Sequence, residues 1–167
     1  MRATGVSGYG AAMSDDMRLR SRSTATGTPV QAAAALVGVA FLLVGVLGFI
    51  PGITADSGSM EAAGHESHAE LLGIFQVSVL HNVVHLLFGA AGIALARKPS
   101  SARAFLVGGG AIYLLLFLYG LVVDKDSQAN FVPLNTADDW LHLVLGAGMI
   151  ALGVVLAKRP GTTGVGR

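Results

Sequence analysis

The sequence predicts an all-α fold, a four-span transmembrane helical bundle built as two tandem helical hairpins. Four stretches, about Val30–Ile50, Leu71–Ala96, Ala104–Val123 and Trp140–Ala157, contain no Asp, Glu, Lys or Arg. A hydrocarbon core of ~30 Å requires roughly 20 apolar helical residues at ~1.5 Å rise each, and all four stretches fall in or near that range. Charged residues make up only 13% of the chain against 53% hydrophobic, where a soluble protein carries about 25% charged. Those few charges are confined to short segments between and beyond the apolar runs, which is the membrane pattern.

The elements follow in order. Residues 1–29 are rich in Ser, Thr, Gly, Ala and Arg without apolar periodicity, and the expectation is a disordered cytoplasmic tail. Its Arg18, Arg20 and Arg22 set orientation and lie within reach of anionic headgroups. Val30–Ile50 is 21 residues, longer than the ~7–15-residue core of a cleaved signal, so it reads as an uncleaved signal anchor. The membrane domain runs over residues 30–157, and residues 158–167 form a second cytoplasmic tail. The chain has no cysteine, which excludes disulfides, thiolate metal sites and thiol catalysis.

Spans two and four align on a shared histidine. His85-Leu-Leu-Phe-Gly89-Ala90 matches His142-Leu-Val-Leu-Gly146-Ala147, and the match continues to Leu95 and Leu152. Before it, His81-Asn82 corresponds to Asp138-Asp139; after it, Arg97-Lys98-Pro99 corresponds to Lys158-Arg159-Pro160. Spans one and three match as glycine-rich runs, with Gly38 and Gly48 spaced like Gly110 and Gly120. The reading is an internal duplication whose halves are related by an axis along the membrane normal. Lipid gives helices no hydrophobic reason to associate, so close approach through small residues holds them together. Ala34/Gly38, Ala90/Ala94 and Ala147/Ala151, continued by Gly89/Gly92 and Gly146/Gly153, are expected on the packed faces.

Ionisable groups inside a span face a bundle interior or a wet cavity. The intramembrane polar cluster expected here is His81, Asn82, His85, His142, Asp138 and Asp139. His81 and His85 share a helix face four residues apart, and His85 lies about 18 Å from Arg97, in the outer half of its helix. His-x-x-x-His is also a metal-binding spacing, so His81, His85 and His142 are the alternative metal ligands. His85 and His142 are alternative clamps for a haem between helices. Without a Glu base or a third fixed ligand, the structural role is favoured: neutral imidazoles bonded across helices. The loop Met60–Glu70 holds His65, His68 and three carboxylates and reads as a solvated acidic segment, with weak divalent-cation binding as the sharper alternative. Thr136 with Asp139 reads as an N-terminal cap, placing Asp138 and Asp139 at the positive end of the helix dipole. Trp140 suits an aromatic interface belt.

The segment Leu71–Gly89, containing His81-Asn82-Val-Val-His85, and the segment Pro133–Gly146, containing Asn135-Thr136-Ala-Asp138-Asp139-Trp-Leu-His142, together resemble a family of small actinobacterial membrane proteins. That family is catalogued as a domain of unknown function, and the resemblance covers roughly Val30 to Ala157. It implies four helices and a bacterial plasma membrane and brings no activity. Where the family usually has asparagine before the second histidine motif, this chain has Asp139, so no amide role is carried over to it.

The functional expectation is a non-enzymatic structural or envelope-associated membrane component with no cofactor. Its partner is the lipid bilayer, with a homo-oligomer or another membrane protein as further possibilities and no nucleic acid. The alternative is a metal- or haem-binding redox protein, or a small-solute or proton transporter, using the intramembrane histidines. Ten of the 11 basic residues fall on one side of four alternating spans, with Lys125 alone on the other, while eight of the ten acidic residues fall opposite. The positive-inside rule then puts both termini in the cytoplasm. Reporter fusions within residues 52–64 and 125–130 should therefore lie outside and fusions at either terminus inside; a terminus labelled from outside intact cells refutes this topology.

Overall fold

The computed structural model describes residues 27–158. The N-terminal arginine cluster, the expected disorder of the first tail and the basic residues from Arg159 onward lie outside the described residues. Among the described residues the fold is mostly helical, with four α-helices: α1 Pro29–Leu47, α2 Val79–Leu95, α3 Pro99–Val122 and α4 Thr136–Val155. Helices α1, α3 and α4 are long and apolar enough to cross a membrane.

Helix α2 is shorter than the charge-free run Leu71–Ala96 predicts. Its 17 residues rise about 25 Å. Leu71 and Phe75 instead belong to a small antiparallel sheet, β1 Thr54–Ala55, β2 Glu70–Leu71 and β3 Phe75–Gln76. The turn between β2 and β3 places Leu72 at φ 57° and Gly73 at φ 67°, a conformation that stops a helix. Ser78 then starts α2, its hydroxyl accepting from His81 N at 3.2 Å, as an N-cap should. Absence of charge marks a span's outer limit, whereas the cap and the turn decide where the helix starts.

Helices α1 and α3 each open on a proline, Pro29 and Pro99, where the missing N–H costs nothing. Helix α1 packs chiefly on α2, and α3 on α4. Both contacts are made through glycine. A Cβ on Gly38 would stand 2.9 Å from Gly89 O, and one on Gly89 2.7 Å from Gly38 O. A Cβ on Gly110 would stand 2.7 Å from Gly146 O, and one on Gly146 2.9 Å from Gly110 O. The buried set of α1 is Val30, Ala33, Ala34, Gly38, Phe41 and Gly45, while Leu36, Leu87, Leu115 and Val144 are 66–71% exposed. Small residues inside and large aliphatics outside invert the soluble pattern and suit a lipid surround.

The expected small-residue stripes are correct for Ala34/Gly38, Gly89/Gly92 and Gly146/Gly153, all buried, but Ala90, Ala94, Ala147 and Ala151 face outward. Each lies one or two residues from a packed glycine, hence 100° or more around the helix, and the true contact takes the residue with no side chain. The loop at 48–78 is likewise more than a solvated acidic segment. Ala69, Leu71 and Val77 form a small core, and Thr54 and Ser67 are buried and bonded to Leu47 O and Val77 O respectively.

Gly89→Leu and Gly146→Leu should each lower the thermal midpoint in detergent by several degrees, because overpacking typically costs ~1–3 kcal/mol or more and lipid returns nothing. Gly108→Leu and Gly148→Leu, where nothing lies within 4 Å of the added Cβ, are the controls and should melt like the wild type.

Candidate functional site

All six residues of the expected polar cluster gather at the end of the bundle that carries the two loops. Five of them, Asn82, His85, Asp138, Asp139 and His142, are buried, and His81 is half-buried. Asn82 and Asp139 occupy notches left by glycine: the side chain of Asn82 fills the space where Gly48 would carry a Cβ, and Asp139 does the same at Gly120. The spacing Gly38/Gly48 and Gly110/Gly120, noted in the sequence, is thus a close backbone contact followed by a polar notch in both helix pairs.

Each polar group has an assigned partner, with one exception. His85 Nδ1 lies 3.0 Å from His81 O. A carbonyl only accepts, so that nitrogen carries the proton and Nε2 of the neutral ring is an acceptor. Tyr113 OH, 3.3 Å from Nε2, is the donor. His81 Nδ1 is 3.4 Å from Asn82 Oδ1, and Asn82 Nδ2 donates to Met60 Sδ at 3.7 Å. Lys125 Nζ donates to both Asp139 oxygens, at 2.9 and 2.8 Å. His142 Nδ1 has no partner.

The cap of α4 corrects the sequence reading. The N-cap is Asn135, with Asp138 as its reciprocal partner: Asp138 N donates to Asn135 Oδ1 at 2.9 Å, and Asn135 N to Asp138 Oδ2 at 3.0 Å. Thr136 and Asp139 do not form it, because Asp139 is drawn to Lys125 and the Gly120 notch. Asp138 Oδ2 also accepts from Gln76 N at 3.1 Å, and Asn135 Nδ2 donates to Ile74 O at 2.7 Å. The cap therefore also fastens the β2–β3 turn across the mouth of the bundle.

Aromatic rings tie the centre together. Phe41 meets His85 edge-on at 5.5 Å, Tyr113 meets His142 edge-on at 5.2 Å, and Phe41 stacks on Tyr113 at 5.3 Å. His85 and His142 are bridged by Tyr113, which touches both. Beside them lies a cavity of about 220 Å³ whose lining includes Phe41, Phe75, Leu141, Tyr113, His81 and His142. Among the described residues no three His, Asp or Glu side chains are grouped so as to hold a metal ion. His65 and Glu66 border a separate surface hollow with Gln128 and Phe131.

A profile described as Domain of unknown function (DUF4383) matches residues 31–155. The chain belongs to the DUF4383 family. No curated protein and no solved structure matches it. In this DUF4383 chain the matched region spans the whole bundle, both loops included.

Sequence reasoning missed Tyr113, Asn130 and the role of Lys125. Tyr113 carries a hydroxyl in the middle of a charge-free span, and that polar atom was its signal. Asn130 is 1% exposed and braces its loop by bonds to Lys125 O, Leu134 O and Leu134 N at 3.0–3.2 Å, a pattern a loop sequence does not announce. Lys125, which the sequence reading set apart from the other basic residues, has the buried Asp139 as its partner. Lys125→Met should destabilise the fold by roughly 1–3 kcal/mol by leaving that carboxylate unpaired. Adding Asp139→Asn to Lys125→Met should recover part of the loss in thermal melts; a double variant no more stable than Lys125→Met sinks this account of the pair.

Proposed function

We propose that this chain is a multi-pass integral membrane protein of the bacterial plasma membrane, with four spans as two tandem hairpins and both termini in the cytoplasm. It acts as a non-enzymatic structural or envelope-associated component, through its bundle and its acidic outer face. The observation that carries this reading is how the polar groups at the loop end are used. Asn82 and Asp139 fill glycine notches, Asp138 caps a helix and holds a strand, and both nitrogens of His85 are bonded within the protein. Groups so engaged join helices to each other and to the loops.

Two further observations support the arrangement. Helix α2 presents Val83, Val84 and Leu87 outward while its glycine face follows α1, as a short span would. Its first free N–H groups are met by loop carbonyls, Val79 N to Glu61 O and Leu80 N to Ala62 O, so its end stays satisfied without water. The duplication is supported by matched contacts: Gly38–Gly89 and Gly110–Gly146, Gly48–Asn82 and Gly120–Asp139, Phe41–His85 and Tyr113–His142. Every pair joins positions that the sequence alignment already matched, except for the two aromatics, which it left unremarked.

On this reading His85→Gln should be mild, since an amide replaces neutral imidazole as donor and acceptor, and a membrane polar contact averages only ~0.6 kcal/mol. His65→Ala and His68→Ala should be silent. Visible absorption and elemental analysis of the detergent-purified protein test the competing chemistry. Stoichiometric haem or metal in the wild type that disappears in His85→Gln overturns the structural reading.

A further inference from the structure

Protein interiors leave few spaces larger than a water molecule, and an unfilled one costs stability because its walls lose van der Waals partners. The cavity of about 220 Å³ at the loop end is such a space. It lies between α1 and α4, which belong to different helix pairs and hardly touch. Phe41 and Val44 border it from α1, and Leu141, His142 and Leu145 border it from α4. Each set repeats at three or four residues, so the walls run along both helices. Phe41, Tyr113 and His142 are buried at its floor, whereas Val44, Leu141 and Leu145 are only half-buried. Beside these half-buried residues, Leu43 and Val144 are exposed, and in a bilayer they meet lipid tails.

The β2–β3 turn forms the roof, where Leu71, Leu72 and Phe75 border the cavity. Leu72 holds φ 57°, a left-handed conformation that a branched side chain disfavours. Two bonds to the cap of α4 keep the turn there: Gln76 N donates to Asp138 Oδ2 at 3.1 Å, and Asn135 Nδ2 donates to Ile74 O at 2.7 Å. With the loop side fastened over, the gap between α1 and α4 is the approach.

Five polar side chains border the cavity, yet its wall is almost wholly carbon. Both ring nitrogens of His85 are bonded, one of them to Tyr113 OH. Asp138 Oδ2 accepts from two backbone N–H groups, and His142 Nδ1 has no accessible surface to offer a guest. An interior water needs about two to four polar partners, and a charged guest would lose its hydration here. A hydrocarbon loses nothing: it exchanges one apolar surround for another and restores the contacts that the walls lack.

We infer that this cavity seats an acyl chain of a bilayer lipid, which enters sideways between α1 and α4 and lies against Phe41, Leu141 and Leu145 beneath the β2–β3 turn. An engineered cavity of ~150 Å³ accepts benzene, so the space here takes a segment of a chain rather than a whole one. The site presupposes the membrane location proposed above and adds to it a defined place for one lipid.

The test reconstitutes the full chain into vesicles of phosphatidylethanolamine and phosphatidylglycerol with a small share of phosphatidylcholine carrying a diazirine in its acyl chain. After irradiation, peptide mapping by mass spectrometry locates the label. The outward residues Leu43 and Val144 report ordinary contact with lipid. Label is expected on these and also on Phe41, Tyr113 or His142, which are only 3–5% exposed. Val44→Phe and Leu145→Trp, made separately, extend a side chain into the space. Each should lower the floor label several-fold and leave that on Val144 unchanged. Label confined to outward residues in the wild type overturns the inference and leaves the membrane location intact. Floor label undiminished in the filled variants, or in the one that folds, overturns it as well. Absence of label from every helix refutes the membrane location and the lipid site together.

Discussion

Backbone touches backbone at two places in this bundle, Gly38 against Gly89 and Gly110 against Gly146, and the rest of the fold is arranged around that approach. In water, helices are driven together by burying Leu and Phe. In lipid that drive vanishes, since the tails are as apolar as the side chains, and what remains is van der Waals contact and polar pairing at short range. A Cβ at any of these four glycines would stand 2.7–2.9 Å from the facing carbonyl oxygen. The same economy turns the large aliphatics outward. Leu36, Leu87, Leu115 and Val144 are surface residues here, and in a soluble protein that surface would be a liability.

Close approach also creates the polar end. Two helices that touch at Gly38 and Gly89 remain close about two to three turns on, where Gly48 leaves room for Asn82, just as Gly120 leaves room for Asp139. The two notches receive different chemistry. An amide is satisfied by a thioether and a ring nitrogen nearby, whereas a carboxylate requires a cation, and Lys125 reaches back from the loop to provide it. Removing either member of such a pair leaves the other buried and uncompensated. The loop at 123–135 is thereby drawn onto the bundle, braced by Asn130 from within and by Tyr119 OH bonding to Ala129 O. The loop at 48–78 is held by a different device, the Asn135–Asp138 cap, which reaches out to Ile74 and Gln76.

Much of this was legible in the sequence, and the limits are instructive. Absence of charge marks the spans because a charge in hydrocarbon is costly, and histidine or aspartate at matched positions marks the polar cluster for the same reason. What charge does not report is where a helix starts. The run Leu71–Ala96 is uniformly uncharged, yet Leu72, Gly73 and Ser78 divide it into a turn, a strand and a cap. Small-residue spacing likewise gave the right helices and, for four alanines, the wrong faces, because Ala and Gly look alike in a spacing rule but differ by the Cβ that decides contact. The Thr136–Asp139 cap failed through competition: two overlapping capping patterns one residue apart are equivalent on paper, and Lys125, distant in sequence, settles which aspartate is free. Tyr113 was passed over because one hydroxyl hardly changes the apolar character of a span.

That hydroxyl separates the two halves of the molecule chemically. With tyrosine at both matched positions, each histidine would receive a partner from the opposite helix pair, and the centre would be a closed polar knot. With phenylalanine at both, each histidine would lose its cross-pair hydroxyl. One of each gives His85 a hydroxyl from across the bundle, while Phe41 offers none in return. The matched contacts are alike in their glycines and differ by one oxygen, which decides whether the two helix pairs are joined by a hydrogen bond as well as by stacked rings.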